Sequence, residues 1–193
     1  MKKSLGPQTL AYPTPVYLVG SYDKEGRANM MNAAWGGICN SMPPSIAVSV
    51  RKERYSYEGI LDNKAFTINI PNAKLSVAAD YFGLASGRHE DKIATAGLTT
   101  ERATHVNAPL LCECPLVIEC RLLNHFELGA HTQMIGGIMD VKVEESCLDA
   151  NGNPDITKVD PILFAPGNRA YFKVGQEVGK AFAIGKELMP KSS

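Results

Sequence analysis

The stretch NMMNAAWGGICNSMPPSIAVSVRKERYS, running from Asn29 to Ser56, carries most of the information in this chain. A polar run ends in the sole tryptophan, Trp35, and a Gly-Gly pair follows it. Met42-Pro43-Pro44 then interrupts, because neither proline can donate to an interior strand ladder. Ser45–Val50 resumes as a short β segment, and the cations Arg51, Lys52 and Arg54 gather where it stops, just ahead of Tyr55 and Ser56. The block combines a flat aromatic surface, backbone donors at Asn32, Ala33, Ala34 and Trp35, and an anion clamp. A cofactor with a planar ring and a phosphate tail needs those parts, and flavin mononucleotide (FMN) has that shape.

Each part also has a plainer reading. Arg51 can grip a phosphate through paired N–H bonds, with Lys52 or Lys92 adding point charge and Ser49 and Ser56 adding hydroxyls. The same cations read equally as an ordinary charged strand end. Trp35 can stack on a ring or simply fill a core. His131, after Gly129-Ala130, suits either a turn or a place beside the flavin edge, where a donor or positive charge stabilises a reduced, anionic ring. Phe164 is a candidate ring cover with the same core-packing alternative.

Outward from this block, the chain reads as one domain over 1–193, with 45% hydrophobic residues to build its core. Its 20 basic and 20 acidic residues cancel, which leaves no long-range field to recruit nucleic acid or an anionic membrane. The two lysines at the N-terminus precede no apolar h-region, and no run approaches the roughly 20 apolar residues that span a bilayer. The expectation is a cytoplasmic protein. Five cysteines at irregular spacing suit reduced thiols. Cys112-Glu-Cys114, flanked by His105 and His125, allows a metal site on paper, but Cys acting as a small apolar residue is the simpler reading, and no metal is expected.

Strand signals dominate. Val16–Tyr22 and Asn29–Trp35 flank the turn Asp23–Gly26 and predict a hairpin. Ala65–Ile70, Leu116–Leu128 and Thr132–Glu144 read as further strands, with Gly136-Gly137 marking a bulge or a close backbone approach. Helices are expected over Tyr55–Asn63, capped by Ser56, and over Asn72–Phe82, capped by Asn72 and stopped by Gly83. Ser86–Lys92 reads as a polar surface loop and Ile93–Ala96 as a helical turn. Asp149–Asn153 reads as a turn, and Gln176–Ala183 as a weak helix. Strands and helices do not alternate regularly, so an antiparallel barrel with inserted short helices is expected rather than a doubly wound sheet. There is no G-x-G-x-x-G after a strand, no Walker A motif and no H-E-x-x-H.

Several stretches together resemble the flavin reductase-like family of flavoredoxin type: YPTP at Tyr12–Pro15, MNAAWGG, PPSIAVSVRK, ADYFG at Ala79–Gly83, ASGR at Ala85–Arg88, Asp91-Lys92, LGAHTQ at Leu128–Gln133 and APG at Ala165–Gly167. The resemblance runs in order along nearly the whole chain. It implies a mainly β, Greek-key FMN-binding split β-barrel and a homodimer with one FMN per subunit near the interface. It also implies that Asn29–Trp35, Met31 included, wraps the ring. Ser49, Val50, Arg51 and Lys52 with Tyr55 and Ser56 would hold the phosphate and ribityl chain. Ser86, Gly87 and Lys92 would close over the tail, and His131 and Phe164 would approach the ring. Met31-Asn32 stands where relatives often place Thr or Ser. The expected role is electron transfer through FMN, with a nicotinamide cofactor or a redox protein as donor. The alternative is a non-catalytic flavin- or haem-binding protein on the same barrel.

Overall fold

The computed structural model describes residues 1–189. Its strands are β1 (Thr14–Pro15), β2 (Tyr17–Tyr22), β3 (Ala28–Ala33), β4 (Gly36–Ser41), β5 (Pro44–Val50), β6 (Ala65–Ile70), β7 (Thr100–Arg102), β8 (Pro109–Leu111), β9 (Leu116–Leu128), β10 (His131–Val143), β11 (Ile162–Ala165) and β12 (Ala170–Lys173). The helices are α1 (Ser56–Asn63), α2 (Ser76–Leu84), α3 (Lys92–Thr95) and α4 (Ile156–Val159).

Seven strands form one sheet in the order β3-β2-β6-β9-β10-β5-β4, and its pairings are antiparallel. In a flat sheet β3 and β5 would stand roughly 24 Å apart, five strand spacings. Instead Met31 and Ala33 of β3 share a core with Ile46 and Val48 of β5, together with Phe66, Ile68 and Met134. The sheet therefore curls into a barrel with those side chains inside. Tyr57 and Ile60 of α1 join the same core.

Strands β2 and β3 are buried on both faces. Val19 and Met31 point into the barrel, while Leu18 and Met30 pack outward against Leu75, Ala79 and Phe82 of the α2 region and Ile93 of α3. This second layer holds α2 and α3 against β3, which fixes the site described below. The long β9–β10 hairpin shifts register at Ile135/Gly136. A side chain at Gly136 would meet the Phe66 ring at 2.5 Å, so glycine lets the strand pass over a core aromatic.

The expected barrel strands and the Asp23–Gly26 hairpin turn are present. Asp23 fixes that turn by accepting from the N–H groups of Glu25 (2.9 Å) and Arg27 (2.8 Å). Asn72 caps as expected, accepting from Lys74 and Leu75, although the turn it caps is a 3-10 segment leading into α2.

Four expectations need correction. Ser56 does not cap α1; it lies inside the first turn, and its Oγ accepts from Asn29 Nδ2 at 2.7 Å. Gly83 does not stop α2, which continues to Leu84, because packing of Ala79 and Phe82 on β3 holds the helix through the glycine. Gln176–Ala183 is not helical; the regular turn lies later, at Ile184–Leu188, and Gly175 and Gly179 supply no apolar stripe to dock a helix. Lys92 belongs to no surface loop: it opens α3 and is 4% exposed.

Candidate functional site

A cleft of about 370 Å³ opens where the end of β5 meets α1, the end of α2 and the segment before α3. Arg51 and Tyr55 line it from the strand-end turn, Ser56 from α1, and Asn29 and Met31 from β3. Ser86, Gly87 and Lys92 close the other side. The fold thus brings Arg51, Tyr55, Ser56, Ser86, Gly87 and Lys92, of the phosphate-holding residues expected from sequence, to one cleft, and leaves Ser49, Val50 and Lys52 off its walls.

Their chemistry suits an anion. Lys92 Nζ donates to the carbonyls of Phe82 (3.1 Å) and Ala85 (3.2 Å), so one of its three donors is uncommitted. No carboxylate pairs with it among the described residues. Burial and then the positive charge of Arg54 bring its pKa down to about 8, with Glu90 working in the opposite direction. Such a group gains from an anion brought beside it. Arg51 is half-exposed, with only Glu53 near its Nε at 3.4 Å. The Tyr55 hydroxyl donates to Asp23 (2.7 Å) and accepts from Arg27 (3.0 Å). That hydrogen bond to Asp23 is the largest influence raising the Tyr55 pKa.

The cradle is shaped as well as charged. A β-carbon on Gly87 would collide with Asn29 Oδ1 and stand 2.8 Å from Tyr55 Cδ1, so the chain passes this wall only as bare backbone. Guanidinium, ammonium, two serine hydroxyls and a glycine-lined wall fit the phosphate and ribityl end of a flavin nucleotide.

Other expected residues lie elsewhere in the single chain. Lys52 pairs with Glu127 at 2.7 Å and is not part of the clamp. Ala33 and Val50 are core residues of the barrel. Asn32 gives its amide to Ala79 O (2.8 Å) and to the Tyr171 hydroxyl (3.2 Å). Trp35 and Ala34 line a separate apolar recess with Leu10, Ala11 and Pro13; the Trp35 carbonyl accepts from Ser49 N at 2.8 Å. Phe164 packs on Tyr171, ring centres 5.8 Å apart. His131 begins β10 opposite Leu128, one residue from Thr132, which pairs with Val50. It therefore lies at the same sheet end as Arg51 without lining the cleft.

Sequence reasoning missed Phe82, Leu84 and Ala85, which form the α2 wall of the cleft; Arg54, read there only as one of the cations after Val50, also lines it, and its Nη1 donates to Gly83 O at 3.1 Å. The helical spacing of Ala79 and Phe82 was the available signal for that wall. No group of three or more potential metal ligands occurs among the described residues. Cys120 is buried, with its thiol pushed up to about 12 by burial first and then by Glu119. No helix among the described residues is long and apolar enough to cross a membrane.

A family model described as flavin reductase like domain matches residues 9–172. The flavoredoxin of Desulfovibrio vulgaris (Miyazaki F) superposes with a TM-score of 0.93 at 56% identity, over 96% of this chain and 100% of that one. The flavoredoxin from Methanosarcina acetivorans superposes with a TM-score of 0.92 at 35% identity, over 98% of this chain and 100% of that one. A high molecular weight rubredoxin of Moorella thermoacetica is 30% identical over 149 residues, 76% of this chain but 58% of that protein.

Proposed function

The chain belongs to the flavin reductase-like family, and from that premise we propose that it is an FMN-binding redox protein of the flavoredoxin type. The observation that carries the reading is Lys92: a buried ammonium with no carboxylate partner and one donor free among the described residues, on the wall of a cleft that also holds Arg51. Bound there, FMN would supply the redox chemistry, taking electrons from a reduced nicotinamide or a redox protein and passing them to an acceptor.

The chain's own residues bind and orient. Arg51 and Lys92 neutralise the phosphate, Ser56 and Ser86 offer hydroxyls to its oxygens, and Asn29 holds Ser56 in place through its 2.7 Å bond. FMN rather than a phosphate-free flavin is favoured because so much of the cleft's charge serves one anion. The Moorella relative's name, rubredoxin, is that of a redox protein and supports an electron-transfer role alongside or instead of nicotinamide oxidation.

The reading includes a homodimer. Leu123, Phe126 and Leu128 on β9 and Ile38 on β4 are each more than half exposed. Such a concentration on one sheet suits burial against a second copy. Phe126–Leu128 borders the strand end that carries Arg51, so the interface adjoins the cleft mouth.

The test is FMN titration of flavin-free protein, followed by flavin fluorescence. Arg51→Ala and Lys92→Ala should each weaken binding at least tenfold; unchanged affinity in both would show the clamp to be misassigned. Anaerobic mixing of the FMN-loaded protein with NADH or NADPH then separates a reductase, which bleaches the flavin, from a carrier, which does not.

A further inference from the structure

The chain past β12 leaves its own barrel. Nothing in 175–189 belongs to either core cluster, and the hydrogen bonds and the ion pair formed there stay inside the segment, among Glu177, Lys180, Ala183, Ile184, Lys186 and Met189. Yet its composition is not that of a tail kept in water, which is poor in aromatic and branched apolar residues. Val178 is 94% exposed, Phe182 98% and Leu188 93%, with Ile184 and Met189 more than half exposed. On the barrel, β4 is the last strand of the seven-stranded sheet and pairs with β5 alone. Its outer N–H and C=O groups have no backbone partner among the described residues, and Ile38 and Met42 are exposed beside them. Resting on the homodimer reading, we propose that 175–189 is an exchange arm. Its extended part, 175–180, adds as a strand to the β4 edge of a second copy, and the apolar side chains of the arm cover Ile38 and Met42 there.

A second copy of this chain fits better than any other occupant. An open edge flanked by apolar side chains is a template for a further strand, and a hazard while it stays open. Edge and arm are both open in one molecule and do not meet within it. A two-fold axis joins such a pair twice, each copy giving one arm and taking one. Their lengths agree: extended, 175–180 spans about 20 Å, and β4 runs over the same number of residues, Gly36–Ser41. Charge points the same way. Glu177 and Glu187 offset Lys180 and Lys186, so the arm has no basic face for an anionic lipid surface. The whole chain is neutral as well, so its own field does not repel a copy. The equally exposed residues 1–9 carry only Met1 and Leu5 as large apolar groups, so exposure alone does not mark an arm.

The experiment uses Cys39, which lies on β4 and is the exposed member of the five free cysteines. Gln176→Cys places a second thiol on the arm of the full-length chain, and a short bis-maleimide is added. The expected product is a covalent dimer on a denaturing gel, with Cys39 joined to the arm in its peptide map, and Cys39→Ser in the same chain should abolish that link. In parallel, Phe182→Asp should raise the dimer dissociation constant at least tenfold in sedimentation, with the thermal melt of the monomer unchanged because Phe182 touches neither core. A dimeric wild type in which Cys39 and the arm are joined only within one chain or not at all, or in which Phe182→Asp raises the constant less than tenfold, overturns the arm while the homodimer and the flavin site stand. A wild type that is monomeric throughout removes the homodimer and the arm together, and FMN titration of the same protein then judges the flavin site by itself.

Discussion

Gly87 packs against Asn29 so closely that a β-carbon on the glycine would overlap Asn29 Oδ1. Asn29 in turn donates to Ser56 Oγ at 2.7 Å, and Asn29 and Ser56 are 5% and 1% exposed. One missing methyl thus sets the position of two polar groups in the cleft. Gly87→Ala should push Asn29 off Ser56, costing about 1–3 kcal/mol of stability and at least tenfold in FMN affinity. Gly175→Ala, where a β-carbon meets nothing within 4 Å, is the control. A Gly87→Ala protein with wild-type melting and wild-type FMN affinity would show that the cradle yields freely.

Lys92 makes flavin affinity depend on pH. In the flavin-free protein its pKa is brought down to about 8, chiefly by burial, and only the protonated amine attracts a phosphate. Above pH 8 binding must take up a proton, so FMN affinity should fall, approaching tenfold per pH unit. The stability effect has the opposite sign. The unfolded lysine titrates near 10.4, so the unfolded chain binds more protons between about pH 8 and 10.4. The penalty of burying the charge is full below pH 8 and is relieved as pH rises through that window. FMN titrations from pH 6 to 9.5 test this: the fall should be present in wild type and absent in Lys92→Ala. A fall of equal slope in both would assign it to another group.

Much of the barrel can be read from local pattern, because its strands alternate or run apolar and its turns carry Asp, Gly and Pro. β4 could not be read, since Gly36-Gly37 and the exposed Cys39–Ser41 give an edge strand no apolar period. The cleft divides in the same way. Arg51 announces itself as a cation at a strand end. Lys92 sits in a polar run, and nothing local reveals that α2 brings the Phe82 and Ala85 carbonyls over to bury it. Ser56 follows the local rule for a cap, yet a contact 27 residues away in sequence claims its hydroxyl. Lys52 beside Arg51 reads as its equivalent, but in the turn after β5 it reaches Glu127 on β9 instead. Local composition names the candidates, while the fold decides which of them share a cleft.

Glu119 is a stability element separate from the site. It is fully buried on β9 and accepts from the N–H groups of Thr104 (3.1 Å) and His105 (2.6 Å), with Lys142 Nζ 3.3 Å away. It ties the loop before β8 to the barrel. Glu119→Ala would leave two N–H groups without a partner and weaken the hold on a cation, a loss of about 3–5 kcal/mol. Chemical denaturation should show it, with FMN affinity of the folded fraction unchanged. A loss below 1 kcal/mol would mean that water replaces the carboxylate at no cost.

The exposed apolar face bears on the assembly. Phe126 is 51% exposed and Leu128 59%, and both lie on the β9 stretch that pairs with the His131 end of β10. Burying such a side chain is worth about 1.5–3 kcal/mol, and in a two-fold dimer each substitution counts twice. Phe126→Asp should therefore shift the protein from dimer to monomer in light scattering at micromolar concentration, with little change in the melting of the monomer, because Phe126 is absent from both core clusters. FMN affinity should fall as well, since the proposed interface adjoins the cleft mouth. A wild-type protein that is monomeric at the highest concentrations reached would remove the dimer from the proposed function and leave the Arg51–Lys92 clamp to hold the flavin within one chain.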